Sequence, residues 1–468
     1  MIRLALTINI ILYVSICSTT AQIKTSSVQV EQWVKNSFSG QGVVIGNIKY
    51  SGNSQAVSVF TSTPDILQVQ KGLIISTGTA SGVAGANNTF NYTKAFGDIK
   101  SPEKDSDLSR IVKQNLYDIS FIEFDFVPMD NSIRFSYQFG SDEYPEYVGS
   151  AYNDIFAFFI SDEISNRNIA LIPGKTTPVS VNTINFKTEA QHYIDNNIFS
   201  QVVVKRDAVQ PKKFIRRYRT LPGRILFAIK NFFTYTPPQK SNTTVQIRSD
   251  PNLMRNISQN LYRNLQYDGI TKRLDAQAYV QPYKKYHLKI IIADVSDNMY
   301  DSGVFIQDQS FTAKRDVLQP GFVDYPDLSK YIDPKKILEG KKLEDILPDN
   351  ITTDNVVIYF DFDKSELNAT EMQKLNGIAQ MAVKLYPKYQ LQLTAHTDSI
   401  GDLAYNMALS KRRNQAVLDS LNKISPSPTK YGVSEKAFLN PAAENRTEEG
   451  RMKNRRVEIS LVKRKDER

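Results

Sequence analysis

Two groups of carboxylates lie close enough in sequence to act together. Asp142, Glu143, Glu146 and Asp154 fall in one stretch, and Asp294, Asp297 and Asp301 in another. If both turns meet at one end of a fold, their oxygens supply the roughly six to eight ligands that Ca²⁺ takes. The spacing is not that of an EF-hand loop, and solvated turn acids with strand caps are the plainer and favoured reading. A glycosidase pair drawn from Asp142 or Glu143 with Asp154 would need a cleft between the two carboxyl groups. Composition removes other chemistries. Cys17 is the only cysteine, and the histidines are His192, His287 and His396. Disulfide scaffolds, cysteine-rich zinc sites and thiol nucleophiles are therefore excluded.

The elements that must carry these acids read as strands. Gly42–Ile48, Gly72–Ser76, Ser120–Val127, Ser132–Tyr137, Ile155–Ser161, Ala278–Val280, Tyr286–Ala293 and Val304–Ile306 are short β-prone runs broken by Gly, Asn, Asp and Pro. Ser132–Tyr137 alternates, with Ile133, Phe135 and Tyr137 on one face. Residues 155–160 are continuously apolar, as in a strand lying between two layers. Many short strands without alternating helices predict an all-β sandwich over residues 22–314.

After a Pro-, Asp- and Lys-rich linker at 315–351 the pattern changes. Val356–Phe360 reads as a strand, and Asn368 with Glu371 is a capping box opening a helix whose Leu375, Ile378, Ala379, Ala382 and Leu385 share a face. Tyr389–Thr397 is a second strand, Ala408–Ile424 a second helix with Ala416 and Leu418 inward, and Arg455–Val462 a final strand. This β-α-β-α-β order predicts a compact α+β domain over 352–464.

Four fragments stand out in that domain: 360–365 (FDFDKS), 396–401 (HTDSIG), Asn406 with Leu409, Ser410 and Arg413, and 445–451 (NRTEEGR) leading into 454–458 (NRRVE). Together they resemble the OmpA-like (OmpA/MotB) peptidoglycan-binding domain. The resemblance implies non-covalent binding of the stem peptide through the zwitterionic end of diaminopimelate, with Asp398 accepting the ammonium and Arg413 holding the carboxylate. A planar guanidinium suits a carboxylate because it binds bidentately. Arg413 is expected near the start of its helix, where a cation opposes the macrodipole. The competing reading is an ordinary surface ion pair of Asp398 with Arg413. Asn406 is expected to orient the loop or touch ligand, and Thr397 and Gly401 to shape a turn whose N–H groups approach a carboxylate. Asp363 falls where some family members carry Asn. Arg455 and Arg456 are expected to brace the fold. His396 lacks a nucleophile partner and reads as structural.

Upstream, 139–149 (FGSDEYPEYVG), 152–160, 76–80 (STGTA), 292–297 and 301–305 resemble the choice-of-anchor L domain of bacterial surface proteins. That family carries no defined activity and implies an exported, anchored interaction module. It is interrupted by a basic insert at 205–240 holding ten Lys and Arg against one acid, Asp207, which equals the +9 formal charge of the whole chain. Within it, Ile225, Leu226, Ile229, Phe232 and Phe233 share a helical face flanked by cations. Such a helix contacts an outer-membrane surface or anionic envelope polymer, or else packs on the sandwich.

Arg3, the apolar run from Leu4 to Ile16 and the small residues up to Ala21 predict a secretory signal peptide, 1–21. Lipidation of Cys17 is the alternative, disfavoured by Ile16 beside it. An exported chain meets no nucleic acid. The expectation is a non-enzymatic protein at the outer membrane or the periplasmic face of a Gram-negative envelope, binding peptidoglycan and an envelope partner. The alternative is an envelope glycan hydrolase that the C-terminal domain targets to the wall.

Overall fold

The computed structural model describes residues 22–88, 96, 102–150, 153–197, 199–203, 245–249, 258–296, 299–318, 323, 325–425 and 431–464. The expected signal peptide with Cys17, the basic insert and Asp297 lie outside the described residues.

Two antiparallel sheets face each other in the N-terminal part. One runs β1 (Lys24–Ser26), β3 (Val57–Thr61), β4 (Lys71–Ser76), β15 (Ser302–Gln307), β6 (Ser132–Ser141), β12 (Gly269–Thr271) and β9 (Tyr193–Asp195), with β13 (Leu274–Tyr279) and β16 (Thr312–Lys314) also paired to β6. The other runs β2 (Val43–Ser51), β5 (Leu116–Pro128), β14 (Tyr286–Val295), β7 (Ile155–Ser161) and β8 (Asn166–Asn168). Strands β10 (Phe199–Val203) and β11 (Val245–Ser249) pair with each other.

Aromatic side chains fill the space between the sheets. Phe135 of β6 meets Phe158 of β7 at 4.9 Å between ring centroids, and Phe139 stacks on Phe156 at 4.7 Å. Each such ring taken from water contributes about 1.5–3 kcal/mol. Alternation along β6 buries Ile133, Phe135 and Tyr137 and leaves Arg134 exposed. Strand β7 is buried on both faces: Phe156, Phe158 and Ile160 enter the inter-sheet core, while Ile155, Ala157 and Phe159 join a second cluster with Leu108 and Ile291. That is why its sequence shows no alternation.

The described residues within 315–351, expected as a linker, are packed. Asp333 caps α1 (Pro334–Leu338) by accepting the Lys335 N–H, and Leu328, Ile332, Ile337, Leu343 and Leu347 are buried. They share one cluster with the C-terminal core and with Val127 and Tyr283 of the sandwich. The Leu328 N–H donates to the Tyr283 hydroxyl at 2.9 Å. Helices this short hold too few apolar positions to show a period in sequence.

The C-terminal sheet has the order β17 (Asn350–Tyr359), β20 (Arg456–Lys463), β18 (Tyr389–His396), β19 (Tyr431–Ala437). Helix α2 (Ala369–Leu385) follows β17, α3 (Leu403–Ile424) follows β18, and α4 (Glu448–Asn454) precedes β20. Asn368 caps α2 by accepting the Glu371 N–H at 2.9 Å. The Glu371 carboxylate does not return to the cap; it accepts from Tyr359 N and pairs with Lys374. All five predicted inward positions of α2 are buried. In α3 the core residues are Val417 and Leu421, with Ala416 and Leu418 only half-buried. Strand β19, parallel to β18, and α4 extend the expected β-α-β-α-β order. No helix among the described residues is long and apolar enough to cross a membrane.

Candidate functional site

Arg413 lies mid-way along α3, not near its start. Asp402 is the N-cap, accepting the Tyr405 N–H at 2.7 Å, so the helix begins at Leu403. The macrodipole argument for Arg413 therefore falls, and its placement rests on its contacts. The side chain is wholly buried over the Phe360 ring. Nε donates to Lys364 O at 2.9 Å, Nη1 to His396 O at 2.8 Å and Nη2 to Asp361 O at 3.2 Å. Among the described residues it forms no ion pair with an acid. Burial pulls its pKa down to about 10, so it stays cationic at neutral pH.

Asp398 follows β18 and is only 4% exposed. Its Oδ1 accepts the Ile400 N–H and its Oδ2 accepts Arg455 Nη1, each at 3.2 Å. A surface ion pair of Asp398 with Arg413 is thus not what the fold builds, since both groups are buried and Asp398 is held by Arg455. Arg455 sits between α4 and β20 and also bonds Glu448 and Phe360 O, bracing three segments at once.

The six residues singled out from sequence, Asp363, Thr397, Asp398, Gly401, Asn406 and Arg413, line one pocket of about 200 Å³. Asn406 Nδ2 donates to Ile400 O and Asp402 O, both at 3.0 Å, so it fixes the loop. Gly401 has φ +95°, a left-handed turn that side chains resist. Thr397 N–H is held by Ala437 O, and its hydroxyl is buried without a partner. Asp363 accepts the Tyr405 hydroxyl. Phe362, Ile400 and Leu409, from the quoted fragments but given no role there, complete the lining together with Tyr405, which the sequence does not single out. The signal for Tyr405 is Asp402 as an N-cap, which starts the helix early enough to point the ring at the pocket. The 445–454 motif acts from outside: Asn445 Oδ1 accepts the Ser399 N–H and Asn454 Nδ2.

His396 is buried beneath this site, and neither ring nitrogen has a hydrogen-bond partner. Burial, then the Arg456 charge, lowers its pKa to about 4.

The N-terminal acids are not solvated. Asp142, Glu143, Asp154 and Asp294 are 1–2% exposed and Asp301 6%. Glu143 accepts the Asp154 N–H at 3.0 Å, and Asp154 accepts from Val295 N and Ser302 Oγ. Burial raises Asp154 to about 8. Asp142 is raised by burial and then by Asp268 and Asp301, and Asp294 by burial and then by Asp154 and Asp301. The cavity beside Asp142 and Asp301 is about 10 Å³, far too small for a sugar ring.

A β-sandwich joined by a packed strap to an α/β domain with a buried cation that no described acid pairs defines a two-module chain. It belongs to the choice-of-anchor L domain family, which matches residues 21–216 and 233–312, more than half its length. The interval between the two matched stretches falls inside the basic insert. The OmpA family matches residues 359–455. The chain is 43% identical over 108 residues to Outer membrane protein A of Bordetella avium, covering 23% of this chain and 55% of that protein. It is 33% identical over 102 residues to the Peptidoglycan-binding protein ArfA of Mycobacterium bovis, covering 22% and 31%. Among solved structures, the peptidoglycan-associated lipoprotein from Burkholderia pseudomallei is 27% identical, covering 23% of this chain and 89% of that one, with a TM-score of 0.21. The chain thus spans about half of the Bordetella relative and about a third of the mycobacterial one.

Proposed function

We propose that this chain is a non-catalytic cell-envelope protein that binds peptidoglycan non-covalently through residues 352–464 and presents the sandwich to an envelope partner. The carrying observation is Arg413: a fully buried guanidinium, pinned by three carbonyls, with no acid paired to it among the described residues. A guanidinium carries five N–H donors, so the three bonds leave two free. Burying a charge with no acid in direct contact is costly, which is reasonable where a ligand carboxylate completes it. Asp398, across the same pocket, supplies the opposite sign for an ammonium group. A diaminopimelate end carries both groups on one carbon, matching the two charges. The name of the mycobacterial relative supports the ligand class, and the Bordetella relative supports outer-membrane association.

An envelope glycan hydrolase is disfavoured by the burial of Asp142, Glu143 and Asp154 beside a cavity of about 10 Å³. The test is co-sedimentation of the full chain with purified sacculi, with release of soluble muropeptides monitored. Binding without lysis, lost in the Asp398→Ala/Arg413→Ala variant, supports the reading. Equal retention of that variant, or lysis by the parent, contradicts it.

A further inference from the structure

The sandwich carries a charge problem at one end. Asp142 directly follows β6, Asp154 precedes β7, Asp294 lies in β14 and Asp301 precedes β15. Ladder pairing of Ser302 with Ser141, and of Ala293 with Ile155, brings all four to the same end of the two sheets. The Asp142 N–H donates to Asp301 O at 3.1 Å, and Ser302 Oγ reaches Asp154 Oδ2 at 2.7 Å, tying one sheet to the other. The Asp301 carboxylate lies against Gly78, where a Cβ would fall 1.8 Å from Oδ2, so the 76–80 turn needs glycine to admit it.

Neither carboxylate oxygen of Asp142 accepts a hydrogen bond, and the same holds for Asp294. No Lys, Arg or His among the described residues forms an ion pair with Asp142, Asp154 or Asp294. Asp142 and Asp301 line the small cavity together with Ser76, Gln266 and Tyr267, and its size suits a single water or ion. Three buried acids, Asp142, Asp154 and Asp294, with no paired cation among the described residues conflict with the rule that buried charges are paired or bound to metal.

We propose that this end of the sandwich binds a divalent cation of the Ca²⁺ type, with Asp142 and Asp301 at its centre and Asp154 and Asp294 behind them. Among the described residues no three such side chains already converge as a closed ligand set. The ion would draw them together, which suits a cation with flexible oxygen coordination better than one demanding rigid geometry. Glu143 is spent on the Asp154 N–H and is left out of the centre.

The experiment uses the full chain, stripped with EDTA and titrated with Tb³⁺, a luminescent Ca²⁺ surrogate. Tyr267 lines the cavity and serves as the sensitiser. Expected are Tb³⁺ luminescence displaced by Ca²⁺ but weakly by Mg²⁺, and a Tm raised by about 5 °C in saturating Ca²⁺. Asp142→Asn and Asp294→Asn should each weaken Tb³⁺ binding at least about tenfold, with Tm in EDTA equal to or above the parent's. Should one variant fail to fold, the other carries the test. No Tb³⁺ signal with an unchanged Tm in Ca²⁺ overturns the proposal in favour of protonated carboxyls. Tb³⁺ binding unaltered in both variants overturns it by placing the ion elsewhere.

Discussion

Arg455 holds the carboxylate of Asp398 at 3.2 Å, and Arg413, which shares the pocket with that carboxylate, does not. The pair with Arg455 orients the acid, while backbone carbonyls orient the guanidinium of Arg413. Two opposite charges are thereby kept in one pocket without forming an ion pair with each other. That arrangement is what a zwitterionic ligand requires.

Arg455→Met strands the buried Asp398 carboxylate, and such losses cost about 3–5 kcal/mol. Adding Asp398→Asn removes the stranded charge, so the double variant should be less destabilised than the sum of the singles. Urea denaturation of the four proteins checks this, and strict additivity would contradict the pairing.

His396 gives a pH signature. Unfolded, it titrates near its ordinary value of 6.5; in the fold the value falls to about 4. Between those values the unfolded chain binds more protons, so this contribution is present above pH 6.5 and is lost as pH falls toward 4. After allowance for solvent screening the effect is about 1–2 kcal/mol. His396→Phe, which removes two unsatisfied nitrogens, should flatten that part of the stability profile. An unchanged slope in denaturation at stepped pH would contradict it.

Much of the fold is visible in the sequence where period and burial coincide. β6 alternates because one face meets the sandwich core, and α2 shows its buried stripe because seventeen residues give enough turns to display it. The strap at 315–351 is invisible because its helices are too short to repeat. Periodicity alone starts α3 too late and so puts Arg413 near its beginning; only the Asp402 cap marks the true start. The acids at 142, 154, 294 and 301 read as surface turns because sequence does not reveal which chain segments close over a loop.

Close approach of strands makes a separate prediction. A Cβ on Gly72 would lie 1.8 Å from the Ile306 carbonyl oxygen across the β4–β15 pair. Backbone cannot give way as a side-chain tip can, so Gly72→Ala should cost about 2 kcal/mol or more, read as a lowered Tm.

The Tyr405 hydroxyl donates to Asp363 at the pocket rim. Tyr405→Phe leaves the exposed ring in place and removes the hydroxyl that bonds Asp363. Affinity for stem peptide should fall about two- to tenfold, the worth of one ordinary hydrogen bond, with Tm unchanged. Isothermal titration against the parent decides it.

The most direct measurement is titration of the full chain with two stem peptides that differ at a single position, one carrying diaminopimelate and the other lysine. Lysine keeps the ammonium and lacks the carboxylate that the proposed reading assigns to Arg413. The diaminopimelate peptide should bind, the lysine peptide should bind at least about a hundredfold more weakly, and Arg413→Gln should erase the difference, as loss of a buried charge-assisted contact implies. Equal affinity for the two peptides would contradict the account.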